Sequence, residues 1–254
     1  MVDVLLAGYG NHYYGYGMGG FGYGMFFDPT YFLIIIGVVI SLIASAMVRT
    51  TFAKYDRVRA KSGMTGRDVA ERLLRANGIN DVAIVRTGGS LTDHYDPRNK
   101  TLNLSDTVYN KTSVAAVGVA AHECGHALQH EFGYVPLSFR SALVPIANIG
   151  SRLSWVFLIL GIILSFNHTL ITIGILMFSL AVLFQLVTLP VEFNASSRAL
   201  EQLESQGILE RSEISGTRKV LRAAALTYVA SAAASILQLL RLIILFGGDK
   251  RDRR

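Results

Sequence analysis

The chain has 254 residues, 51% hydrophobic and only 17% charged, and its mean hydropathy of +0.40 is high for a soluble domain. Its length accommodates a small folded module together with a membrane bundle. A single cysteine, Cys124, excludes an intramolecular disulfide. The formal charge of +6 and pI near 9.5 fit either a nucleic acid or an anionic lipid surface. The basic residues cluster beside apolar runs, which favours lipid, and nucleic acid is not expected as a partner.

Residues 1–28 are rich in Gly and Tyr and lack periodicity, and they read as a flexible N-terminus. The short apolar run Val4 to Ala7 follows Asp3 and not a basic region, so it does not read as a signal peptide. Residues 29–53 contain YFLIIIGVVISLIASAMV, an uncharged stretch about as long as a bilayer requires, and are expected to form a first transmembrane helix. Residues 54–140 are more polar and read as a folded module. Within it, Thr65 opens an amphipathic helix that Gly78 stops. VAIVR and KTLNLS fit short strands. A helix then runs from about Ser113 to Phe132, with Thr112 or Ser113 as N-cap. Residues 141–190 hold two apolar runs joined by Asn167 and His168, the pattern of a transmembrane hairpin. Pro190 is placed to start the next helix, within 191–222. The apolar stretch 223–247 contains Gln238 and Arg241 and is expected to span or to lie in the interface, ahead of a basic tail at 248–254.

The chemistry is concentrated in His122-Glu123-Cys124-Gly125-His126. Residues four apart lie on one helix face, so both imidazoles can bind one Zn²⁺. Glu123 then stands beside the metal as a general base for the attacking water. His130 is one turn further on, but about 12 Å from His122 along a straight helix, too far to share the ion. It is expected to be a cap or surface residue. Gln129 and Phe132 stand where the extended H-E-x-x-H-x-x-G-x-x-H pattern needs Gly and His. The third ligand therefore has to come from elsewhere, and Glu192 is the candidate. A hairpin returns the chain to the side it left, which carries Glu192 back towards His126. Glu201, Glu204, Glu210 and Glu213 read as solvated charges. Cys124 points to another helix face and is expected to pack, not to react. Ala120, Ala121, Gly125 and Ala127 leave room for a metal and a substrate.

Two lesser features flank this motif. Asp93-His94-Tyr95-Asp96-Pro97 reads as a turn first and a catalytic segment second. KTLNLS offers a sheet edge to an extended peptide, or is a plain structural strand. His94, Tyr95 and Arg198 are the candidates for oxyanion or substrate contacts.

LTDHYDPRNKTLNLS, SVAAVGVAAHECGHALQH, PLSFRSALVPIANIGS and PVEFNASSRAL, in that order, resemble the YugP-type putative neutral zinc metallopeptidases of bacterial membranes. The resemblance covers about Tyr31 to Ala230. It implies a gluzincin-like zinc metalloendopeptidase with one zinc ion, His122, His126 and Glu192 as ligands, and Glu123 as general base. The wider gluzincin group often carries an acidic residue four positions after the Glu ligand; Ser196 stands there in this chain.

The expected fold is a mainly α membrane protein: transmembrane helices plus a small α+β zincin-like catalytic module. Arg49, Lys54, Arg57, Arg59 and Lys61 follow the first span, which puts the module on the cytoplasmic side of a multi-pass cell-membrane protein. The basic tail opposes that orientation if the last stretch crosses fully. The expected activity is hydrolysis of a peptide or protein substrate. The alternative is a non-catalytic, zinc-stabilised membrane adaptor, although a structural site prefers four protein ligands and needs no base. An intramembrane site with a later Asp ligand is disfavoured, since no Asp occurs between Asp106 and Asp249.

Overall fold

The computed structural model describes residues 28–247. The expectations for residues 1–27 and for the tail at 248–254 lie outside the described residues. In chain order the elements are α1 (Tyr31–Asp56), α2 (Gly66–Ala76), β1 (Ala83–Thr87), β2 (His94–Asp96), β3 (Thr101–Ser105), α3 (Val114–Glu131), α4 (Val135–Ile163), α5 (His168–Ser205) and α6 (Arg211–Phe246). The protein is a mainly α membrane protein with a small mixed sheet. Four helices, α1, α4, α5 and α6, are long and apolar enough to cross a bilayer. On α1 the side chains of Phe32, Ile35, Val38, Leu42 and Ile43 face outward, a surface that suits lipid and not water.

The polar module forms where its local signals place it. Thr65 caps α2 in a reciprocal capping box with Asp68. Ser113 caps α3 by accepting the Ala116 N–H at 3.1 Å. The sheet order is β1-β3-β2, with β3 parallel to β1 and antiparallel to β2. KTLNLS is therefore the central strand, paired on both sides, and offers no free edge to a peptide. Asp93-His94-Tyr95-Asp96 also differs from its turn reading, since His94–Asp96 is the edge strand β2. The turn comes one step later, where the Asp96 carboxylate accepts from the Arg98 N–H and from Asn99. Leu102 and Leu104 of β3 are fully buried and together with Leu73, Val117 and Leu203 form the core beneath α3. Each such leucine contributes roughly 1.5–3 kcal/mol of burial free energy.

Three boundaries differ from the sequence expectation. Gly133, at φ +61°, ends α3, and α4 begins at Val135 with Pro136 in its first turn, so the last residues assigned to the module belong to the first hairpin helix. Pro190 does not start a new helix; α5 continues through it to Ser205. The missing proline N–H leaves one turn without its hydrogen bond, but Val191, Glu192, Ala195 and Ala199 are buried just beyond, and that packing holds the helix together. The helix expected over 191–222 is instead divided at Gly207 (φ +61°) between α5 and α6.

The helix α6 runs antiparallel to α1 along its length. Arg241 donates to Thr30 and pairs with Asp28 at 3.3 Å. A Cβ on Gly37 would lie 3.2 Å from Ala234, and one on Gly216 would lie 2.8 Å from the Tyr55 ring. The end of α6 thus packs beside the start of α1, and the start of α6 beside the end of α1. Glu213 at the start of α6 is also not the solvated charge its sequence setting implies. It is buried and accepts the backbone N–H groups of Lys61 and Glu210, which ties the module's first loop to α6.

Candidate metal centre

The helix α3 is the centre of the molecule: 14 of its 18 residues are buried. Its Ala- and Gly-rich sequence explains this, because small side chains let neighbouring helices approach on every side. Gly125 is the tightest point. A Cβ there would sit 2.5 Å from the Ala195 carbonyl oxygen of α5. The room at Gly125 is thus taken by a helix backbone, and Ala120, Ala121 and Ala127 are buried in the core. The function of these small residues is to bring α5 against α3, and that approach brings Glu192 to the histidines.

His122 Nε2 and His126 Nε2 lie 3.3 Å and 3.6 Å from Glu192 Oε2, and one donor atom from each residue falls within 4.8 Å of the others. Donors around a tetrahedral zinc, at about 2.0–2.1 Å each, are separated by roughly 3.3–3.4 Å. The two imidazole and one carboxylate donors also suit that ion chemically. Glu192 Oε2 is buried with no hydrogen-bond partner, an atom whose burial is costly unless a cation faces it. The residues present therefore fit a zinc ion.

The opposite ring nitrogens are held by partners. His126 Nδ1 donates to Gln129 Oε1 at 3.0 Å, which leaves the Nε2 lone pair directed at Glu192. Gln129 Nε2 in turn donates to the Val191 carbonyl at 2.8 Å and to Asn194 Oδ1 at 3.0 Å, so one side chain orients a ligand on α3 and clasps α5 on either side of Glu192. His122 Nδ1 pairs with Ser196 Oγ at 3.2 Å. Ser196, in the position where an acidic residue often stands, thus orients His122 through a neutral hydroxyl. Arg140 Nη2 of α4 lies 3.9 Å from Glu192 Oε1, on the side of the carboxylate away from the histidines.

Glu123 lies beside this group in the wall of a cavity of about 190 Å³. Burial pushes its carboxyl above the usual carboxylate range, while His122 and His126 pull the other way. For His126 burial disfavours the charged ring, but Glu192 and Glu123 outweigh it and the pKa is raised. Asp93 also lines the cavity, and its carboxylate accepts from the Ser105 N–H at 2.7 Å and hydroxyl at 2.9 Å. Cys124 faces away: its thiol contacts the Ala70 carbonyl, and burial pushes its pKa up, so it is a packing group.

The three other sequence candidates are not brought to this cavity. His94 Nδ1 contacts the Thr92 carbonyl, the Tyr95 hydroxyl pairs with His130 Nδ1 at 2.9 Å, and Arg198 Nε donates to Asn194 Oδ1 at 2.8 Å. None of them lines it. The residues that sequence reasoning passed over are Gln129, Arg140 and Tyr228, the last in the cavity wall from α6; Asp93, in the wall as well, comes from the segment read as a turn first and a catalytic segment second. Gln129 and Arg140 had a weak signal, as polar side chains on otherwise apolar faces. Tyr228 had none beyond being the large polar residue in the Ala-rich stretch between Arg222 and Gln238.

A family model described as "Putative neutral zinc metallopeptidase" matches residues 30–247. The chain is 46% identical over 215 residues to the "Putative membrane protease YugP" of Bacillus subtilis (strain 168), covering 85% of this chain and 95% of that protein. No solved structure matches the chain.

Proposed function

This chain belongs to the putative neutral zinc metallopeptidase family, and from that membership we propose that it is a gluzincin-like endopeptidase holding one zinc ion on His122, His126 and Glu192. The observation that carries the reading is the convergence of both histidine Nε2 atoms on Glu192 Oε2, at 3.3 Å and 3.6 Å. Three protein donors leave one position open, as catalytic zinc sites do and structural sites do not. That feature, together with Glu123 in the cavity wall, favours an enzyme over a zinc-stabilised adaptor.

Bound zinc supplies Lewis acidity, making water a competent nucleophile near neutral pH and polarising the scissile carbonyl. Glu123 accepts the proton that the attacking water releases and later delivers it to the departing amine. Its buried setting raises its proton affinity towards that of a group able to do both. Gln129 and Ser196 keep the imidazoles fixed, so little reorganisation is needed when substrate enters.

The cavity sits at the depth where the apolar runs end. Val48 and Phe52 of α1 line it, and Arg49 is the first charge after that span. Ala224 and Ala225 of α6 line it just beyond Arg218, Lys219 and Arg222. The substrate is accordingly a peptide or protein segment presented at the membrane surface, on the cytoplasmic side by the distribution of basic residues.

The test is Glu123→Gln in the zinc-loaded protein. It is expected to keep one zinc per chain and to lose proteolysis of an unstructured protein substrate. Full activity in that variant overturns the mechanism.

A further inference from the structure

We propose that Tyr228 is a catalytic residue whose phenol donates the hydrogen bond that stabilises the oxyanion formed as water adds to the scissile carbonyl. The inference rests on the peptidase reading above and adds to it a residue from a helix that the zinc-binding motif does not contain.

The cavity wall carries few groups able to fill this role. Apart from His122, Glu192 and Glu123, its polar lining consists of Asp93, Ser196, Thr227 and Tyr228. The Asp93 oxygens are both occupied as acceptors, from the Ser105 N–H and hydroxyl. The Ser196 hydroxyl is engaged by His122 Nδ1. The Thr227 hydroxyl donates to the Ala224 carbonyl at 2.6 Å, within its own helical turn. Tyr228 is what remains: a neutral phenol, with one directed O–H on a ring of only two torsions. It lines the same cavity as Glu192 and Glu123, which places it in one wall with the proposed metal ligand and the proposed general base.

The fold explains how a residue 36 positions beyond Glu192 arrives here. The helix α6 packs against α3 where Gly118 has no side chain; a Cβ there would lie 2.6 Å from Thr217 Cγ2. Along the same face of α6, Val220, Leu221, Ala224 and Ala225 line the cavity ahead of Tyr228. The alanines keep that wall low, so the phenol is the large polar group that projects from it.

The step balances without any further reactant. As the water oxygen bonds to the carbonyl carbon, Glu123 takes one of its protons and the carbonyl π pair moves onto oxygen. That oxygen accepts the Tyr228 O–H, and the phenol keeps its proton. When the carbon–nitrogen bond breaks, its electron pair leaves with nitrogen, which takes the proton from Glu123.

The experiment uses full-length, zinc-loaded Tyr228→Phe, which loses one oxygen and keeps the ring. Four readouts are expected: zinc affinity by chelator competition as in wild type, KM within about twofold, kcat reduced about 10²–10³-fold, and affinity for a phosphinic peptide, a mimic of the tetrahedral adduct, reduced in parallel with kcat. Tyr228→His, which restores an N–H donor, is expected to recover part of both losses and serves where the Phe variant folds poorly. Wild-type kcat in Tyr228→Phe overturns the proposal. So does a loss of zinc affinity that accounts for the lost activity, since Tyr228 would then be positioning Glu192. Glu123→Gln, measured alongside, separates the two readings. If it is inactive while Tyr228→Phe is fully active, only the Tyr228 assignment fails; if it is fully active, the peptidase mechanism fails with it.

Discussion

Gly125 and Ala195 meet so closely that the Ala195 carbonyl oxygen lies 2.5 Å from where a Cβ on residue 125 would stand. The contact is backbone against backbone, so neither side can yield by changing a rotamer. It sits one residue from His126 and three from Glu192, and so it sets the distance between two of the three proposed zinc ligands.

Gly125→Ala is therefore expected to push α5 away from α3. Overpacking of this kind costs about 1–3 kcal/mol of stability. The larger consequence is at the metal, where a shift of a few tenths of an ångström at Glu192 weakens a three-ligand site. Zinc affinity should fall at least tenfold, read by competition with a chelating dye. An unchanged affinity would mean that the helices are not rigidly registered at this crossing.

Glu192→Ala removes the one proposed zinc ligand that lies outside α3. Two histidines alone bind zinc weakly, and the variant should purify with well under one zinc per chain. Glu192→Gln is the sharper test, because it keeps the shape and the Arg140 side of the carboxylate but exchanges an anionic donor for a neutral one. It should bind zinc more weakly than wild type and more tightly than Glu192→Ala. Stoichiometric zinc in Glu192→Ala, measured by elemental analysis, would remove Glu192 from the ligand set.

Gln129 is buried, and its amide is fully committed to His126, Val191 and Asn194. Gln129→Leu keeps the volume and removes every one of those bonds. Loss of an outer partner of a metal-binding histidine typically costs 10–100-fold in affinity or activity. Here a fall in thermal stability is expected as well, because the Val191 and Asn194 contacts bind α5 to α3. Ser196→Ala removes one bond to His122 and should show the affinity loss with little change in melting temperature. If Gln129→Leu matches wild type in both zinc affinity and melting temperature, the clasp contributes nothing.

Much of this arrangement is legible in the sequence, and what is hidden is hidden for physical reasons. The apolar run before Arg49 and the histidines four apart on one helix are local patterns, so both can be read from spacing alone. Glu192 is legible one step further out, because a two-span hairpin constrains which side its far end reaches. Pro190 misleads, since its effect on a helix depends on neighbours that sequence does not reveal: buried Val191, Glu192 and Ala195 carry α5 straight through it. The strand at His94–Asp96 is too short to show alternation and exists because β3 offers it an edge. Arg140 and Tyr228 reach the site from helices that share no pattern with the zinc motif. Only the packing of α4, α5 and α6 around α3 places them there.

Arg241 supplies the last prediction, which concerns topology. A guanidinium far along an apolar helix is costly in a bilayer unless it reaches partners or the interface. Here it has partners at the opposite end of the bundle from the module: Asp28 at 3.3 Å, the Thr30 hydroxyl at 3.2 Å and the face of Tyr31, with 4.3 Å to the ring centroid. Those residues precede or begin α1, so the end of α6 and the start of α1 lie on the same side, while Asp56 and Arg211 lie on the other. Reporter fusions after residue 247 should therefore report the side opposite to fusions in the loop at residues 57–65, despite the four basic residues of the tail. Arg241→Leu should leave α6 more apolar yet lower the melting temperature, because Asp28 and Thr30 lose their charged partner and α1 its end contact. Fusions at both sites reporting the cytoplasm would mean that α6 does not cross beside α1, and a melting temperature unchanged in Arg241→Leu would mean that the Asp28–Arg241 contact does not hold the two helices in register.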